Sequence, residues 1–457
     1  MLTKSVRYLR ILVMVVVLGM VVAACGGQSG SDTTSAPDAP AETEAPGEEE
    51  PSGGGEAQVV DLTFWTFVQA HADFIESQAA DYNASQSDVE IRIESTSIDW
   101  DDMHNRLLIA LQSGTGAPDL VDVEISRFGP FSRGEVQLHP LTDIVERNSE
   151  NLVSERLAPY MVDGVPYGID YHLGAFLMYY NTEITDAAGV DIDAIETWDD
   201  YIEAGLKVKE EVGVPMTTIE TSGGFSLNGL MLLNGGGRYD ASNNRILEDP
   251  ANIEAAEFIQ DLIFEQEIAV AAPGTHHHAV EFFESFNAGG SASLWMPQWY
   301  MIRFPENMPD VEGKIKVRPL PAFEPGGAVT TMGGGTGTAI TRQIDPDKVE
   351  AAMDFLEFAK LTYDAQVKLW TVLGFDPFWL EVYDDPALQE PDPWFGNEPV
   401  MASIKDMLDR LIPEYTGPHY AEISARMGDV MAFDLFVDQK PAAEVFAEAE
   451  AEIAGME

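Results

Sequence analysis

Cysteine is almost absent from this chain of 457 residues: Cys25 stands alone. No internal disulfide can form, so packing has to hold the fold. Basic residues are also scarce, with Lys+Arg 25 against Asp+Glu 78 and a formal net charge of −53 at pH 7. A field of that sign repels polyanions and excludes charge-driven binding of nucleic acid or anionic lipid. The acidity is spread along the whole chain, which describes a solvated exterior better than a site. Long apolar runs are missing too. After residue 24 none reaches the roughly 20 residues that span a bilayer core.

What is present begins with Lys4, Arg7 and Arg10, followed by an apolar stretch over residues 11–24 that ends in Val22-Ala23-Ala24-Cys25. A basic, apolar, small-residue order is the layout of a secretory signal. A thiol placed directly after two small residues resembles a bacterial lipobox. The apolar stretch is too short for a spanning helix and meets Gly26 and Gly27 at once. Residues 1–24 are therefore expected to be a signal peptide. Cys25 is the expected lipidation point, holding the protein on the outer face of the cell membrane. Residues 25–57 contain Gly, Ser, Thr, Pro, Ala, Asp and Glu with almost nothing to bury, and are expected to form a disordered acidic linker.

The remaining body, from about residue 58 to 457, has the apolar content to build cores. Its length corresponds to two or three units on a prior of roughly 150 residues each. Val60, Leu62 and Phe64 alternate with polar residues up to Trp65, as a strand does. A helix is expected over residues 68–84, then a strand on Val89, Ile91 and Ile93. Asp99 caps a helix that Ser113-Gly114 ends, and Leu120, Val121 and Val123 form a third strand. Strand and helix alternating with short connections predict a parallel sheet wrapped by helices.

The pattern continues through an aromatic stretch over 167–180, which reads as one long strand or two. Thr197 and Asp200 have capping-box spacing, and Asp249-Pro250 and Asp345-Pro346 each open a helix. Residues 291–296 and 315–320 read as strands, and the chain after Glu398 reads as nearly all helical. No internal repeat is visible.

Several segments then resemble one family in their order along the chain: FWTF at 64–67, LQSGTGAPDLVDVE at 111–124, DGVPYGID at 163–170, MYYN at 178–181, TWDDY at 197–201, FFESFNAGGSASLWM at 282–296 and PLPAF at 319–323. These resemble the family 1 extracellular solute-binding proteins, the lipid-anchored receptors of ABC importers for sugars. WTFVQAHADF at 65–74 and DDMHNRLLIALQSG at 101–114 are similar to the arabinose- and arabino-oligosaccharide-binding members. The resemblance implies an α/β fold of the two-lobed, type II periplasmic-binding-protein kind, each lobe a mainly parallel sheet wrapped by helices, with the ligand between lobes. It places lobe 1 in residues 58–170 and 325–385, and lobe 2 in residues 171–324 and 386–457. It also implies a monomer that closes on a sugar or oligosaccharide and hands it to membrane permease subunits, with no cofactor and no catalysis.

A sugar ring offers an apolar face that stacks on flat aromatics and a rim of hydroxyls that pair with planar polar groups. In doubly wound sheets the ligand sits beyond the carboxyl ends of the strands. The candidates are aromatic and polar residues just past strands: Trp65, Gln69, His71, Glu124, Tyr171, His172, Trp295, Gln298 and Trp299. Gly334 and Gly335 allow a ligand to approach the backbone, and Phe225 and Phe375 complete the set. Trp100, Phe282, Phe283 and Trp370 are assigned to hydrophobic faces.

His276-His277-His278 supplies no third ligand for a metal and reads as a surface loop. Two other classes of function stay open. The acidity would suit a cationic solute such as a polyamine, and the many carboxylates would allow a surface-anchored glycoside hydrolase.

Overall fold

The computed structural model describes residues 57–132 and 134–456. The expected signal peptide, Cys25 and the linker up to residue 56 lie outside the described residues. Among those described, no helix is long and apolar enough to cross a membrane.

Strand β1 (Gln58–Thr66) buries Val60, Leu62 and Phe64 and exposes Val59, Asp61 and Thr63. It pairs in parallel with β2 (Val89–Ser97) along its whole length, and through Phe64 and Trp65 with β3 (Leu120–Glu124). The crossovers are α1 (Gln69–Ser85) and α2 (Trp100–Ser113). Asp99 caps α2 by accepting from the Asp101 N–H at 3.1 Å. Gly114, at φ +73°, ends it in the left-handed conformation that glycine adopts without a Cβ penalty. A four-residue helix α3 (Ile125–Phe128) follows β3 directly.

A small hairpin, β4 (Met161–Val162) and β5 (Val165–Pro166), precedes β6 (Ile169–Asp170). The aromatic stretch over 167–180 thus resolves into two strands, β6 and β7 (Phe176–Asn181), which belong to different sheets. Strands β8 (Thr217–Ile219) and β9 (Ala269–Ala271) form a parallel pair. β7 lies between β10 (Ser293–Pro297) and β11 (Ile315–Arg318), antiparallel to both. After β12 (Thr330–Thr331), β13 (Thr336–Ile340) completes the first sheet, whose order is β2-β1-β3-β13-β6. The last strand, β14 (Leu411–Ile412), pairs with β12.

The chain therefore leaves the first sheet after Asp170 and enters the second at Phe176, then returns between Arg318 and Thr336. The two crossings run side by side: Ala175 bridges Met332, and the Gly333 N–H donates to Gly174 O at 2.9 Å. Two paired connections are the form a hinge takes between halves.

Both faces of β7 are buried, Leu177 and Tyr179 to one apolar layer and Phe176, Met178 and Tyr180 to the other. Those layers also hold β1 and β3 residues, so the core runs continuously past the hinge. The helix expected at Asp345-Pro346 starts as a 3-10 turn, Pro346–Lys348, before the α-helix Val349–Lys360. The final helices include a π turn, Met427–Met431.

Candidate ligand site

A cavity of about 620 Å³ opens where the two sheets meet. From the first sheet and its helices come Phe67, His71, Trp100, Glu124, Thr336 and Phe375; from the second half come Phe225, Trp299, Ile302 and Arg303. Its size is that of a small-molecule site, and its walls are largely apolar with a few fixed polar groups.

The elements explain these positions. Phe67 follows β1, His71 lies in the first turn of α1, and Trp100 begins α2. Glu124 ends β3 and caps α3, where its carboxylate accepts from the Ser126 N–H at 3.0 Å and from the Ser126 hydroxyl. Burial pushes the Glu124 carboxyl up to about 7, against the pull of those Ser126 donors. His104 stands behind both neighbours. Its Nε2 accepts from the Glu124 N–H at 3.0 Å, so Nδ1 carries the proton and donates to Trp100 O at 2.7 Å. Burial holds His104 down to about 4, in keeping with a neutral ring.

Below the floor lies a charged cluster. Asp122 accepts from Thr66 Oγ1 at 2.8 Å, Thr338 Oγ1 at 2.6 Å, Tyr171 OH at 3.1 Å and His71 Nδ1 at 3.0 Å. Burial opposes ionisation of Asp122, but His71, Lys360 and Thr338 together hold the carboxyl below the usual range. Lys360 sits 3.0 Å from the centre of the Tyr171 ring and donates to Ile169 O at 3.0 Å. Its own burial draws it down to about 7 despite Asp122 and Asp170. His172, also on the wall, is pushed to about 3 by burial and stays neutral.

Trp299 donates its Nε1–H to Gly333 O at 2.9 Å, which ties the indole to the hinge. Phe225 meets it edge-on at 5.4 Å and His278 stacks on it at 5.8 Å. Gly335, at φ +152°, touches the buried Arg156–Asp170 pair; a Cβ there would come within 1.8 Å of Arg156 Nη2.

Of the residues expected from sequence, the cavity brings together His71, Glu124, His172, Phe225, Trp299, Gly334, Gly335 and Phe375. Tyr171 is fully buried one layer behind, stacked on His71 at 3.8 Å. Gln298 is likewise buried and braces the hinge region, donating to Gly374 O at 2.8 Å and accepting from the Asp376 N–H at 3.0 Å. Three more candidates lie off the wall. Trp295 is 1% exposed, packs on Trp198 and donates to Ser226 O, because β10 alternation turns it into the core. Trp65 packs partly buried on the same apolar layer. Gln69 is exposed and bonds Asp73.

Trp100, assigned from sequence to a hydrophobic face, is a wall residue with the Arg127 guanidinium 4.0 Å above its ring. The histidine run is not a surface loop throughout. His277 is 1% exposed, bonded to Thr218 Oγ1 at 3.0 Å, and the following helix begins only at Val280. Among the described residues no cluster of His, Cys, Asp and Glu is arranged to hold a metal. Sequence reasoning missed Phe67 and Arg303 on the wall, and Asn228, Arg238, Glu414 and Tyr420 beside it. The lone residues of the second half carry no local signal, since only tertiary packing gathers them.

Two sheets joined by paired crossings, with an aromatic cleft at the junction, define a two-lobed α/β body of the type II periplasmic-binding-protein kind. The chain belongs to the bacterial extracellular solute-binding protein family, whose model matches residues 69–362. It is similar to the arabinooligosaccharide-binding protein of Halalkalibacterium halodurans, 44% identical over 362 residues, which cover 78% of this chain and 81% of that one. The arabinooligosaccharide-binding protein of Bacillus subtilis is 36% identical over 391 residues, covering 84% of this chain and 90% of the other. Among solved structures, the sugar-binding protein MalE of Xanthomonas citri matches with a TM-score of 0.73 at 18% identity, over 86% of this chain and 96% of that one. That last likeness is one of fold.

Proposed function

We propose that this protein is an extracellular receptor that captures an arabinose-containing oligosaccharide between its lobes and delivers it to the permease of an ABC importer. The observation that carries this reading is the cleft itself. Flat rings from both halves (Phe67, Trp100, Phe225, Trp299 and Phe375) surround a few polar groups held neutral or already paired. Such a wall stacks on the apolar faces of sugar rings and leaves His71, Glu124 and His172 for hydroxyls. The names of the two relatives supply the sugar class.

The lobes are assigned to residues 58–170 with 325–385 and residues 171–324 with 386–457. Closure takes place about the paired crossings near Gly174 and Gly333, driven by the ligand's greater affinity for the closed arrangement. The receptor acts as a monomer tethered by lipid on Cys25.

A cationic solute fits less well. Glu124 is the one carboxylate on the aromatic wall among the described residues, its ionisation is suppressed by burial, and Arg303 shares that wall. Hydrolysis of a glycosidic bond takes a pair of carboxyl groups flanking it, and the aromatic wall presents one.

Tryptophan fluorescence titration against a panel of arabino-oligosaccharides, other oligosaccharides and spermidine tests the proposal. Saturable binding of the arabino-oligosaccharides with the sugar recovered intact is expected. Binding of spermidine alone, or cleavage of the sugar, would overturn it.

A further inference from the structure

The first crossing, residues 171–175 between β6 and β7, belongs to neither sheet. Its five N–H groups go instead to two aspartates. Asp170 Oδ1 accepts from the Tyr171 N–H at 2.7 Å and from the His172 N–H at 3.2 Å. Asp376 takes the other three. Its main-chain oxygen accepts from Leu173 at 2.8 Å, its Oδ1 from Gly174 at 3.0 Å and its Oδ2 from Ala175 at 2.8 Å. Asp376 is fully buried and comes from a distant segment, just past the helix Tyr363–Leu373. Buried N–H groups are rarely left without partners, so the crossing needs both side-chain oxygens of Asp376 at once.

Asp376 is also tied to the opposite half. Gln298, the first residue after β10, accepts from the Asp376 N–H at 3.0 Å and donates its amide to Gly374 O at 2.8 Å. Its main-chain N–H donates to Ala175 O at 2.8 Å. The chain neighbours of this pair are two rings of the cleft wall, Phe375 beside Asp376 and Trp299 beside Gln298. Phe375 meets the His172 ring of the first crossing at 5.0 Å, and Trp299 is bonded to Gly333 on the second. Asp376 itself is not on the wall. A ligand that draws Phe375 and Trp299 together therefore acts on a backbone whose direction Asp376 sets without touching the ligand.

We propose that Asp376 is a positioning residue for ligand capture: its carboxyl group holds the first crossing in one direction and so sets the angle at which the two halves present their rings. The proposal rests on the reading of the protein as a two-lobed receptor and names the side chain that governs its closure. Asparagine has nearly the same shape but one acceptor oxygen, and its NH2 group only donates. In Asp376→Asn either Gly174 or Ala175 is left without a partner, and the crossing loses its single preferred direction. The share of molecules in the binding-competent arrangement then falls, and apparent affinity falls with it.

The test reads the angle itself. Spin labels on Asp88→Cys and Glu210→Cys, exposed residues in the two assigned lobes, report it as a distance in the full chain carrying Cys25→Ser. Measurements are made at pH 8, where the Asp376 carboxyl, pushed up to about 7 by burial, is ionised. With Asp376 intact, one narrow distance distribution that arabinotriose shifts is expected. Asp376→Asn should broaden the ligand-free distribution and weaken arabinotriose binding roughly tenfold, as the competent share drops by that factor. Trp295→Phe, a core change, should leave both readouts as they were. Distributions in Asp376→Asn that coincide with those of the intact protein would overturn the proposal, whatever its affinity or melting temperature. Equal broadening in Trp295→Phe would overturn it too, since lost stability alone would then explain the effect. Should Asp376→Asn fail to fold, Gln298→Met removes the tie from the other half and decides by the same readouts. Absence of arabinotriose binding would remove the receptor reading, while the ligand-free distributions would still decide the role of Asp376.

Discussion

His71 Nδ1 lies 3.0 Å from Asp122 Oδ2, deep beneath the cleft. Asp122 is held as a carboxylate, so it can only accept, and the His71 proton must sit on Nδ1. That leaves Nε2, the other ring nitrogen, on a residue that lines the cavity. A buried aspartate thus fixes the orientation of one ring offered to the ligand.

From this follows a prediction for His71→Ala. Ligand affinity should fall by about 1–2 kcal/mol through loss of one hydrogen bond and of the ring contact. The fold should also weaken, because Asp122 loses one of its buried donors. Calorimetric titration together with urea unfolding separates the two effects; unchanged affinity would take His71 out of the site.

Trp299 is anchored by its N–H to Gly333 and leaves ring surface to the cleft. Trp299→Ala should cost on the order of 1–3 kcal/mol of binding if the indole stacks on sugar. Trp295→Phe, changed inside the core, should alter stability and leave affinity nearly intact. The two variants, titrated side by side, distinguish wall from core.

Glu124 gives a pH dependence whose sign is fixed. Its carboxyl titrates at about 7 when folded against 4.5 ordinarily, because burial disfavours the charged form. Between those values the folded protein binds more protons than the unfolded chain, so stability contributed by this group is lost as pH rises through the window. Wild type should therefore lose stability relative to Glu124→Gln from about pH 4.5 to about pH 7. Denaturation midpoints of both proteins across that range check it, and parallel curves would refute the assignment.

Gly335→Ala should destabilise the protein strongly. Its φ of +152° disfavours any side chain, a penalty of roughly 1–3 kcal/mol. The added Cβ would also meet Arg156 and Asp170, which are fully buried. Thermal melting reads the loss directly.

Much of the first sheet was legible in the chain. The alternation of Val60, Leu62 and Phe64, the Asp99 cap and the Gly114 stop all appear where expected, because they are set by neighbours in sequence. The stretch over 167–180 was readable from its residues as extended; that the chain crosses between lobes there followed only from the family resemblance, since a hinge is defined by its partner strand near Met332. The site was legible where a residue follows a strand, as with Glu124. It failed at Trp295, where the indoles of Trp295 and Trp299 look alike in sequence but β10 turns the first inward. Asn228, Arg238 and Glu414 come from three distant segments and meet only in the fold, so no spacing announces them.

The most direct test is calorimetric titration of the purified protein with arabinotriose, followed by chromatography of the recovered sugar. One intact trisaccharide bound per protein molecule is the result these lobes and their aromatic cleft predict. No heat of binding, or arabinotriose returned in pieces, would contradict it.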